Sequence, residues 1–528
     1  MWKKTSTCLP QITYSIRNSK VNYTVLRQLL IPNGLIYNNL YITRLYTTHA
    51  PQKRLAEKIN NEQDCNSFSY RSHSCGELRV VNAGQKVTLC GWTQYIRHSK
   101  FLLLRDAYGL TQCIVSDKFD ISNMSLETVV LIRGTVICRP KPMINPQMAT
   151  GEIEVAVDHI EVLNSVNNLP FNLRKYQKPK EQLRLQHRYV DLRFPEMQNN
   201  LRQRSTMLHN MRRFLVETHG FIEVETPTLF CRTPGGAREF VVPTRHPGLF
   251  YSLVQSPQQF KQMLMSGGID RYFQVARCYR DETTRPDRQP EFTQLDVEMS
   301  FTNLNGVLSL IEQLLFETFL RALPKPPFQR FTYKYVMENY GTDKPNLTYG
   351  LKFENLKDLF PDKLEDSTFG VYVLWVVDFP LFVKGEHGLE TCHHPFTAPH
   401  PDDIHLLKTE PLKVRSLAYD IVMNGNEIGG GSVRVHDVEL QKEILRMLNI
   451  DTVSLSHFLN ALSSGCPPHA GIALGIDRLI SLACETESIR DVIAFPKSHD
   501  GKDPLSGAPS DISEEDKKYY HIVTVKEG

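Results

Sequence analysis

The side chains best suited to chemistry in this chain are grouped in one charged segment near its centre. Arg280 and Glu282 precede a polar stretch with two prolines (283–290), and Gln294 and Asp296 follow it. The residues before this stretch are mostly apolar and those after it alternate, which predicts two strands joined by a loop. We therefore expect a hairpin that holds Arg280 and Glu282 on one strand against Gln294 and Asp296 on the other. Four ionic or amide groups on one sheet face are costly to bury without a polar ligand, so the pattern favours a binding site over a solvated, salt-bridged hairpin.

The wider pattern of this segment resembles a known family. Residues 280–296 read R-D-E and then R-x-D-R-Q-P-E-F-T-Q-x-D, which resembles motif 2 of the class II aminoacyl-tRNA synthetases at more than ten positions. Residues 220–227 (G-F-I-E-V-E-T-P) resemble the end of motif 1, a long helix that runs into a strand closed by proline. Residues 471–479 (G-I-A-L-G-I-D-R-L) resemble motif 3, a strand that enters a helix carrying one arginine.

Three further segments narrow the resemblance. They are Q-S-P-Q at 255–258, C-H-H-P-F-T at 392–397, and 424–434 with the run E-I-G-G-G-S-V-R. Three glycines alone usually indicate close backbone packing, but their spacing to Glu427 and Arg434 is informative. From about residue 74 to 521, the chain resembles the bacterial and mitochondrial branch of the aspartyl-tRNA synthetases. The resemblance implies an α+β fold, with an N-terminal OB-fold β-barrel and a catalytic domain built from an antiparallel sheet flanked by helices.

The resemblance also implies a two-step reaction. L-aspartate and ATP form aspartyl-adenylate, and the aspartyl group then esterifies the 3′ end of tRNA-Asp. The attacking carboxylate is already a nucleophile at pH 7, so activation needs positioning and charge neutralisation rather than a catalytic base. Two arginines suit this task because guanidinium stays charged and binds phosphate bidentately. The resemblance assigns these catalytic roles to Arg280 and Arg478.

Ligand contacts follow from the same resemblance. The ATP-binding residues are Arg280, Glu282, Gln289, Phe292, Glu427, Gly475, Ile476, Asp477 and Arg478, with Phe292 stacked on adenine. The aspartate-binding residues are Gln258, Lys261, Arg280, Asp296, His393 and Arg434, with Arg434 pairing bidentately with the substrate side chain. Mg²⁺ prefers oxygen ligands and is assigned to Asp420 and Glu427, on an expected hairpin that turns at Asn424-Gly425.

Two departures from the bacterial pattern are visible. Residues 233–237 read T-P-G-G-A, with Gly235 where bacterial members have a glutamate that contacts the substrate. Mitochondrial members resemble this version, and the substrate contact is left open. Bacterial members also carry a further domain between motif 2 and the C-H-H segment. Here Phe360 is followed almost at once by the apolar run 371–377, so that insertion is absent, and it is not part of the ATP or amino-acid pocket.

Five strand-like runs, most of them separated by Gly or polar turns, precede the catalytic motifs. They lie at 87–92, 101–105, 111–115, 129–137 and 153–162. Five short strands within 75–165 favour an OB-fold, a barrel that often binds single-stranded nucleic acid. The resemblance places Arg97, Phe101 and Gln112 at anticodon-binding positions, where an aromatic side chain can stack on a base while Arg and Gln read its edges. Taken alone, Phe101 is about as often a core residue.

The remaining chain divides into three segments. The polar stretch 166–200, with Pro170 and Pro179, is predicted to be a hinge. Residues 201–496 form the predicted catalytic domain, and its opening helix (201–218) supports a homodimer interface in this family. Residues 497–528 are polar and are predicted to be a docked C-terminal extension.

The N-terminal residues 1–56 are basic and free of acids. They contain eight Lys and Arg but no Asp or Glu, and Ser, Thr and Asn are frequent. This composition is typical of a mitochondrial transit peptide, so we predict a transit peptide at 1–46 and localisation in the mitochondrial matrix. Removing it would leave fewer basic than acidic residues, so RNA binding must come from local patches. The alternative is a disordered basic arm that contacts RNA.

Composition excludes several other classes. Hydrophobic residues make up 41% and charged residues 23% of the 528, as in globular proteins of two to four domains. The longest apolar run (371–377) is stopped by Asp378 and is far too short to cross a membrane. The eleven cysteines include no C-x-x-C pair, which favours reduced thiols over a zinc site or a disulfide scaffold.

Two alternative functions remain open from the sequence. Asparaginyl- and lysyl-tRNA synthetases share the barrel and the core, although Gln258, Lys261 and Arg434 together favour aspartate. A non-catalytic paralogue that only binds RNA would be favoured by loss of Arg280 or Arg478, and both are present. Whether tRNA-Asn is also charged depends on anticodon geometry that the sequence does not display.

Overall fold

A computed structural model describes residues 66–173, 178–233, 236–347, 371–386 and 388–525. The predicted transit peptide (1–46) and Gly235 lie outside the described residues. Within these ranges, none of the helices has the length and apolar character needed to cross a bilayer. The nine cysteines of the described ranges are all free thiols.

The first folded region is a closed five-stranded barrel. Its strands are β1 (Lys86–Arg97), β2 (Phe101–Arg105), β3 (Leu110–Ile114), β4 (Val129–Cys138) and β5 (Ile153–Asn164). They close in the order β1-β2-β3-β5-β4, with β3 and β5 parallel and the other pairs antiparallel. Alternate residues such as Leu89, Leu102 and Ile132 point inward and form the barrel core, because successive side chains of a strand face opposite sides.

The second region is built on an eight-stranded sheet. The remaining strands of the described ranges are β6 (Ile222–Glu223), β7 (Leu229–Phe230), β8 (Val241–Pro243), β9 (Phe250–Leu253), β10 (Arg271–Tyr279), β11 (Glu291–Ser300), β12 (Gln329–Thr332), β13 (Val373–Val377), β14 (Phe382–Gly385), β15 (Gly388–Thr391), β16 (Ala418–Met423), β17 (Asn426–Val433) and β18 (His469–Gly475). The large sheet has the order β12-β13-β16-β17-β18-β11-β10-β6. Its central pairs are antiparallel as expected, but the two outermost pairs, β12–β13 and β6–β10, are parallel, so the sheet is mixed.

Helices cover the sheet and connect its strands. The helices of the described ranges are α1 (Glu181–Gln186), α2 (Arg188–Asp191), α3 (Pro195–Arg213), α4 (Gln258–Ser266), α5 (Leu304–Thr318), α6 (Tyr333–Tyr340), α7 (Val438–Met447), α8 (Ser456–Ser463), α9 (Ile476–Ala483) and α10 (Glu514–Tyr519), and several of them cover the sheet. Residues of α3, α5 and α9 share one hydrophobic core with the apolar face of the sheet, to which β11 contributes Leu295 and Val297. The alternate residues of β11, including Asp296 and Glu298, therefore face the opposite side of the sheet.

The predicted hinge is more ordered than its composition indicated. It contains α1 and α2, and α3 starts at Pro195, six residues before the predicted domain boundary. Arg193 donates to Glu127 of the barrel at 2.9 Å, and Arg188 donates to the backbone carbonyls of Arg490, Ile493 and Ala494. The polar residues of this segment therefore make an ion pair to one flanking region and hydrogen bonds to the other, so the segment is not a plain linker.

Motif 1 has the predicted form. Helix α3 continues through a π-helical turn (214–218), and Gly220 at φ 66° ends it before the short strand β6. A positive φ is readily adopted by glycine at a helix C-terminus, which explains this residue type here.

The C-terminal segment contacts the catalytic region at its first residue. The backbone of Lys497 makes two hydrogen bonds with the side chain of Gln289.

Candidate functional site

The polar face of the large sheet forms the floor of one cavity of about 540 Å³. Fourteen of the predicted ATP, aspartate and metal ligands line it, together with Gln294 of the hairpin: Gln258, Lys261, Arg280, Glu282, Gln289, Phe292, Asp296, His393, Asp420, Glu427, Arg434, Gly475, Asp477 and Arg478. Ile476 does not line it, because its side chain is fully buried in the hydrophobic core on the other side of the sheet. One cavity thus joins residues that are more than 200 positions apart.

The charged hairpin differs in one respect from the expected arrangement. Strand β10 ends at Tyr279, opposite Glu291, so Arg280 and Glu282 lie in the connecting loop and not on the strand. Within the hairpin, Asp296 instead faces Gln274. The strand ends there because Arg280 bonds the carbonyl of Pro290, which has no N–H to continue the ladder. The loop still brings both side chains into the cavity.

Four buried charges form a network at one end of the cavity. The Lys261 ammonium lies 3.1 Å from Asp296 Oδ1 and 3.3 Å from Glu298 Oε2. Arg434 donates to both oxygens of Glu298, at 3.0 and 3.2 Å. Burial acts to raise the pKa of Glu298, but Arg434 and Lys261 outweigh it and hold that pKa below its usual range. Burial raises the pKa of Asp296, against the effect of Lys261.

The Arg434 guanidinium is largely, but not fully, committed to the protein. Its bidentate pair, which we expected with the substrate, is made with Glu298, and its Nη groups also donate to Ser432 Oγ at 2.8 Å and to the Gly471 carbonyl at 3.2 Å. Guanidinium has five N–H groups. Four of these are used among the described residues, which leaves one N–H on Nη1 for a ligand in the cavity.

Glu298 was missed by the sequence reasoning. It lies two residues after Asp296 on the same strand, so the alternation of β11 places both on the cavity side. That alternation was the signal that could have found it. Without Glu298, Lys261 and Arg434 would place two positive charges in a fully buried site with only Asp296 to balance them.

Three buried polar atoms of the site have no hydrogen-bond partner in the described part of the chain. They are Arg280 Nε, Asp296 Oδ2 and His393 Nδ1. Leaving such groups unpaired costs about 1–3 kcal/mol each, and most buried polar groups in folded proteins are paired. Since all three belong to residues that line the cavity, they indicate the positions where a polar ligand would bind.

The two adjacent histidines of the C-H-H segment have opposite protonation preferences. Burial acts to lower the pKa of His393, but the Asp420 carboxylate, 3.2 Å from its Nε2, raises it to about 10. Burial and the nearby Arg434 lower the pKa of His394 to about 3. At neutral pH the cavity therefore contains a His393 cation paired with Asp420 and a neutral His394.

Two further arginines, Arg280 and Arg478, line the same cavity. The guanidinium carbon of Arg280 lies 5.0 Å from the centre of the Phe292 ring, a cation–π contact. Arg478 donates to the backbone carbonyl of Glu427 and, at 3.2 Å, to the Asp287 carboxylate. Glu282 accepts from Arg288 at 3.2 Å. Two permanent positive charges, those of Arg280 and Arg478, therefore line the cavity without a buried carboxylate partner among the contacts described.

Two of the predicted ATP residues are engaged with the protein itself. The side chain of Gln289 uses its N–H and its carbonyl on the backbone of Lys497, at 3.1 and 2.7 Å. Asp477 binds the Arg204 guanidinium and the backbone N–H of Thr293, the latter at 2.9 Å. Both residues support the cavity wall in this structure, and their direct contact with a nucleotide stays a prediction.

The predicted pair of metal ligands lies on a tight hairpin. Asn424 and Gly425 connect β16 and β17 with φ of 48° and 77°, the two positive values that a type I′ turn requires. A Cβ placed on Gly430 would lie 2.5 Å from Asp420 Oδ1 and 3.9 Å from Glu427 Oε1, so glycine keeps open a space that both carboxylates border. In the described ranges, no three His, Cys, Asp or Glu side chains form a metal-binding group.

Lys344 lies beside the predicted metal ligands, and the sequence reasoning did not identify it as a site residue. Its ammonium lies 2.7 Å from Glu427 Oε2. Burial acts to raise the pKa of Glu427, but Lys344 outweighs it and lowers that pKa. Positive charge beside a predicted metal ligand indicates that Glu427 has a protein partner before any cation binds.

The predicted anticodon residues share the outer face of the barrel. Arg97 pairs with Phe101 across β1 and β2, and Leu103 pairs with Gln112 across β2 and β3. Phe101 is half-buried and lies outside the barrel core, which receives its neighbour Leu102 instead. The Gln112 amide donates to Glu154 at 2.9 Å, which leaves its carbonyl free to accept. This face can therefore present one aromatic ring and two polar side chains to a strand of nucleic acid.

Comparisons with known proteins agree with this architecture. Residues 180–499 match the family described as tRNA synthetases class II (D, K and N), and residues 87–163 match the OB-fold nucleic acid binding domain. The chain is 44% identical to the mitochondrial aspartate–tRNA ligase of Rattus norvegicus, over 86% of the chain and 90% of that protein. It is 43% identical to the protein of the same name from Homo sapiens, over 92% of the chain and 94% of that protein.

Solved structures show the same fold at lower identity. The asparaginyl-tRNA synthetase from Pyrococcus horikoshii complexed with asparaginyl-adenylate matches with a TM-score of 0.65 and 21% identity, over 81% of this chain and 98% of that chain. The aspartyl tRNA synthetase from Entamoeba histolytica matches with a TM-score of 0.63 and 22% identity, over 83% and 93%. The alignment with the rat protein spans 586 positions, more than the 528 residues of this chain, so that relative has residues within the matched region that this chain lacks.

Proposed function

The chain belongs to the class II tRNA synthetases and, within them, to the aspartate–tRNA ligases, and from this premise we propose how its residues work. The enzyme joins L-aspartate to tRNA-Asp in two steps, through an aspartyl-adenylate formed with ATP. The observation that carries the residue assignment is the cavity itself. It combines unpartnered buried atoms of Asp296, His393 and Arg280 with a paired set of charges at the amino-acid end.

We assign the amino-acid end of the cavity to aspartate. The free N–H of Arg434 and the third N–H of Lys261 supply donors for the side-chain carboxylate. Asp296 Oδ2 and the carbonyl of Gln258 supply acceptors for the substrate ammonium. An asparagine amide would set its own N–H groups against these donors, and a site that leaves buried polar groups unpaired rejects such an analogue strongly.

Adenylate formation would take place between the two arginines. The aspartate α-carboxylate attacks the α-phosphorus of ATP, and pyrophosphate leaves. Arg280 would neutralise the charge that develops at this phosphorus, because its Nε is buried without a partner and its position is fixed by Phe292. Arg478 would bind from the opposite side, held by the carbonyl of Glu427. No general base is needed, since the nucleophile is already ionised.

The acidic pair of the hairpin fits a magnesium ion. The space that Gly430 leaves beside Asp420 and Glu427 gives two carboxylates on one side, and Mg²⁺ commonly binds through one or two carboxylates together with substrate phosphates. When bound, the ion would neutralise negative charge on the phosphates. Asp420 and Glu427 would hold it, and Lys344 and His393 are their present partners.

The barrel face would recognise the tRNA. Phe101 supplies a stacking surface, while Arg97 and the free carbonyl of Gln112 can bind base edges. Tyr95 also belongs to this face, because it pairs with Leu103 and is partly exposed. We therefore include Tyr95 among the candidate tRNA contacts.

A homodimer is supported by an exposed apolar strip next to motif 1. Strands β8 and β9 pair with Val241 opposite Ser252, so Val241 and Phe250 lie on the same face of the pair, and each exposes more than half of its surface. Contiguous apolar patches of this kind often mark protein interfaces. Sedimentation of the parent chain as a dimer and of Phe250→Glu as a monomer would support this assignment. A parent chain that sediments as a monomer would contradict it.

We place the enzyme in the mitochondrial matrix. The relatives named above are mitochondrial, and residues 1–56 have the composition of a transit peptide. Residues 1–56 fused to a reporter should direct it to the matrix and be cleaved, with the new N-terminus between about residues 40 and 56. A fusion that stays in the cytosol would contradict this localisation.

The substrate assignment is tested by ATP–pyrophosphate exchange. The parent enzyme should exchange with aspartate and not with asparagine or lysine, because the acceptors and donors match only aspartate. Arg280→Ala should reduce the exchange rate by about 100-fold or more, the loss expected for a group that stabilises transition-state charge by about 3 kcal/mol. Exchange that depends on asparagine or lysine would change the substrate. No exchange with any amino acid would identify a protein that only binds RNA.

A further inference from the structure

One buried chain of side chains leads from the amino-acid end of the cavity to the start of β18. Gln258 and Gln262 lie one turn apart on α4, and the Gln258 Nε2 donates to Gln262 Oε1 at 2.8 Å. Gln262 Nε2 lies 3.0 Å from His469 Nε2, and His469 Nδ1 lies 2.8 Å from the Pro467 carbonyl. Gln262 and His469 are completely buried.

The orientation of every group in this chain follows from its last member. Nδ1 of His469 lies 2.8 Å from the Pro467 carbonyl and 3.6 Å from the Cys466 sulfur. Because the carbonyl is closer and can only accept, Nδ1 carries a proton and donates to Pro467. Burial lowers the pKa of His469, and a neutral ring with Nδ1–H has a lone pair on Nε2. That lone pair needs a donor, which places the N–H₂ end of Gln262 towards His469 and its carbonyl towards Gln258.

The amide of Gln258 is oriented in turn. Since Gln262 offers it a carbonyl, Gln258 must present its N–H₂ to Gln262 and keep its own carbonyl for the cavity that it lines. This Oε1 has no hydrogen bond to the described residues. It is not fully buried, so a ligand in the cavity can reach it. The reverse orientation would place two carbonyl oxygens against each other in a buried site, where an unpaired acceptor is costly.

We propose that Gln262 and His469 are positioning residues that fix the Gln258 carbonyl as an acceptor for the α-ammonium of the amino-acid substrate. The inference rests on the proposed function, because the ammonium is that of aspartate. It assigns neither residue a contact with substrate. Their effect reaches the substrate only through Gln258, and this is what separates a positioning role from a merely structural one.

The test measures binding of two ligands that differ only in the amino group, aspartate and succinate. Gln262→Met removes the acceptor opposite Gln258 with little change in side-chain volume. We expect the dissociation constant of aspartate to rise about 10-fold, because hydrogen bonds to charged groups contribute on the order of a tenfold change in affinity. Succinate has no ammonium, so its dissociation constant should change less than about 2-fold.

Gln259 provides a matched control on the same helix. Gln259 is also buried and also contacts a histidine, His457 at 2.8 Å, but its Nε2 donates to Thr233 and not to a residue that leads to Gln258. Gln259→Met should leave the ratio of aspartate to succinate affinity unchanged. Gln262→Glu is a second variant that keeps an acceptor opposite Gln258 and lets a protonated His469 donate, so it should retain aspartate affinity within about 3-fold.

The double variant decides whether the effect passes through Gln258. Gln258→Leu alone should weaken aspartate but not succinate, and adding Gln262→Met to it should cause no further loss. Additive losses, or equal losses for both ligands, would overturn the positioning role. An unchanged aspartate affinity in Gln258→Leu would also overturn it and would remove Gln258 from the acceptors of the ammonium, while leaving the proposed reaction intact. The function itself fails only if the parent enzyme shows no aspartate-dependent exchange.

Discussion

Replacing Phe101 by Ala should separate the two steps of the reaction. Phe101 lies on the outer face of the barrel and contributes nothing to its core. Loss of one base-stacking surface costs about 1–3 kcal/mol, which is roughly a 5- to 150-fold decrease in kcat/KM for tRNA-Asp. Exchange of ATP and pyrophosphate should not change, because the cavity that performs it is built from the other region of the chain.

Leu102 is the matched control for this substitution. It is the next residue of β2, is fully buried and belongs to the barrel core. Leu102→Ala should lower the free energy of unfolding of the barrel by about 2–5 kcal/mol. Phe101→Ala should cost less, about 1 kcal/mol, because Phe101 is only half-buried and lies outside the barrel core.

Aminoacylation of full-length tRNA-Asp, exchange and thermal unfolding are measured on both variants. An RNA stem without the anticodon loop should be charged poorly by the parent and by Phe101→Ala, with no difference between them. If Phe101→Ala destabilises the protein as Leu102→Ala does, the residue is part of the barrel core. If it reduces exchange as much as charging, the anticodon role is refuted.

Three other predictions concern the buried charges. Glu298→Gln should destabilise the protein by about 3–5 kcal/mol, because it leaves Lys261 and Arg434 buried with Asp296 as the only anion. Glu291→Gln on the same strand breaks a surface pair with Arg277 and should cost less than about 1 kcal/mol. Equal melting temperatures of the two variants would contradict this. The pKa of His393 is raised to about 10 when folded, from about 6.5, so its pairing with Asp420 should stabilise fully below pH 6.5 and be lost as the pH rises towards 10. The stability difference between the parent and His393→Gln should shrink over that interval, and a difference independent of pH would refute the ion pair. Asp420→Asn should weaken the binding of Mn²⁺, used as a probe of the proposed magnesium site, by about 10-fold or more in a titration with ATP present. Unchanged binding would remove Asp420 from the metal site.

Local patterns in the sequence predicted the charged hairpin and the turn next to it, whereas most of the candidate site residues came from the resemblance to the family. The apolar stretch of β10, the alternation along β11 and the Asn-Gly turn between β16 and β17 depend on neighbours in the chain, so they could be predicted. The same alternation places Asp296 on the polar face of the sheet. Resemblance to the family supplied the roles of Arg280 and Arg478, which periodicity cannot supply.

Only the tertiary structure decided which charges are paired. Arg434 and Glu298 are separated by 136 residues, and no local pattern indicates that the arginine gives its bidentate pair to this carboxylate instead of to the substrate. Contacts between distant segments likewise decide the pairing of Lys344 with Glu427 and the position of Arg280 in the loop. They also decide which ring nitrogen of the neutral His469 carries the proton. The physical reason is that pairing and protonation depend on burial and on the distance between charges. Both quantities arise only when the chain has folded.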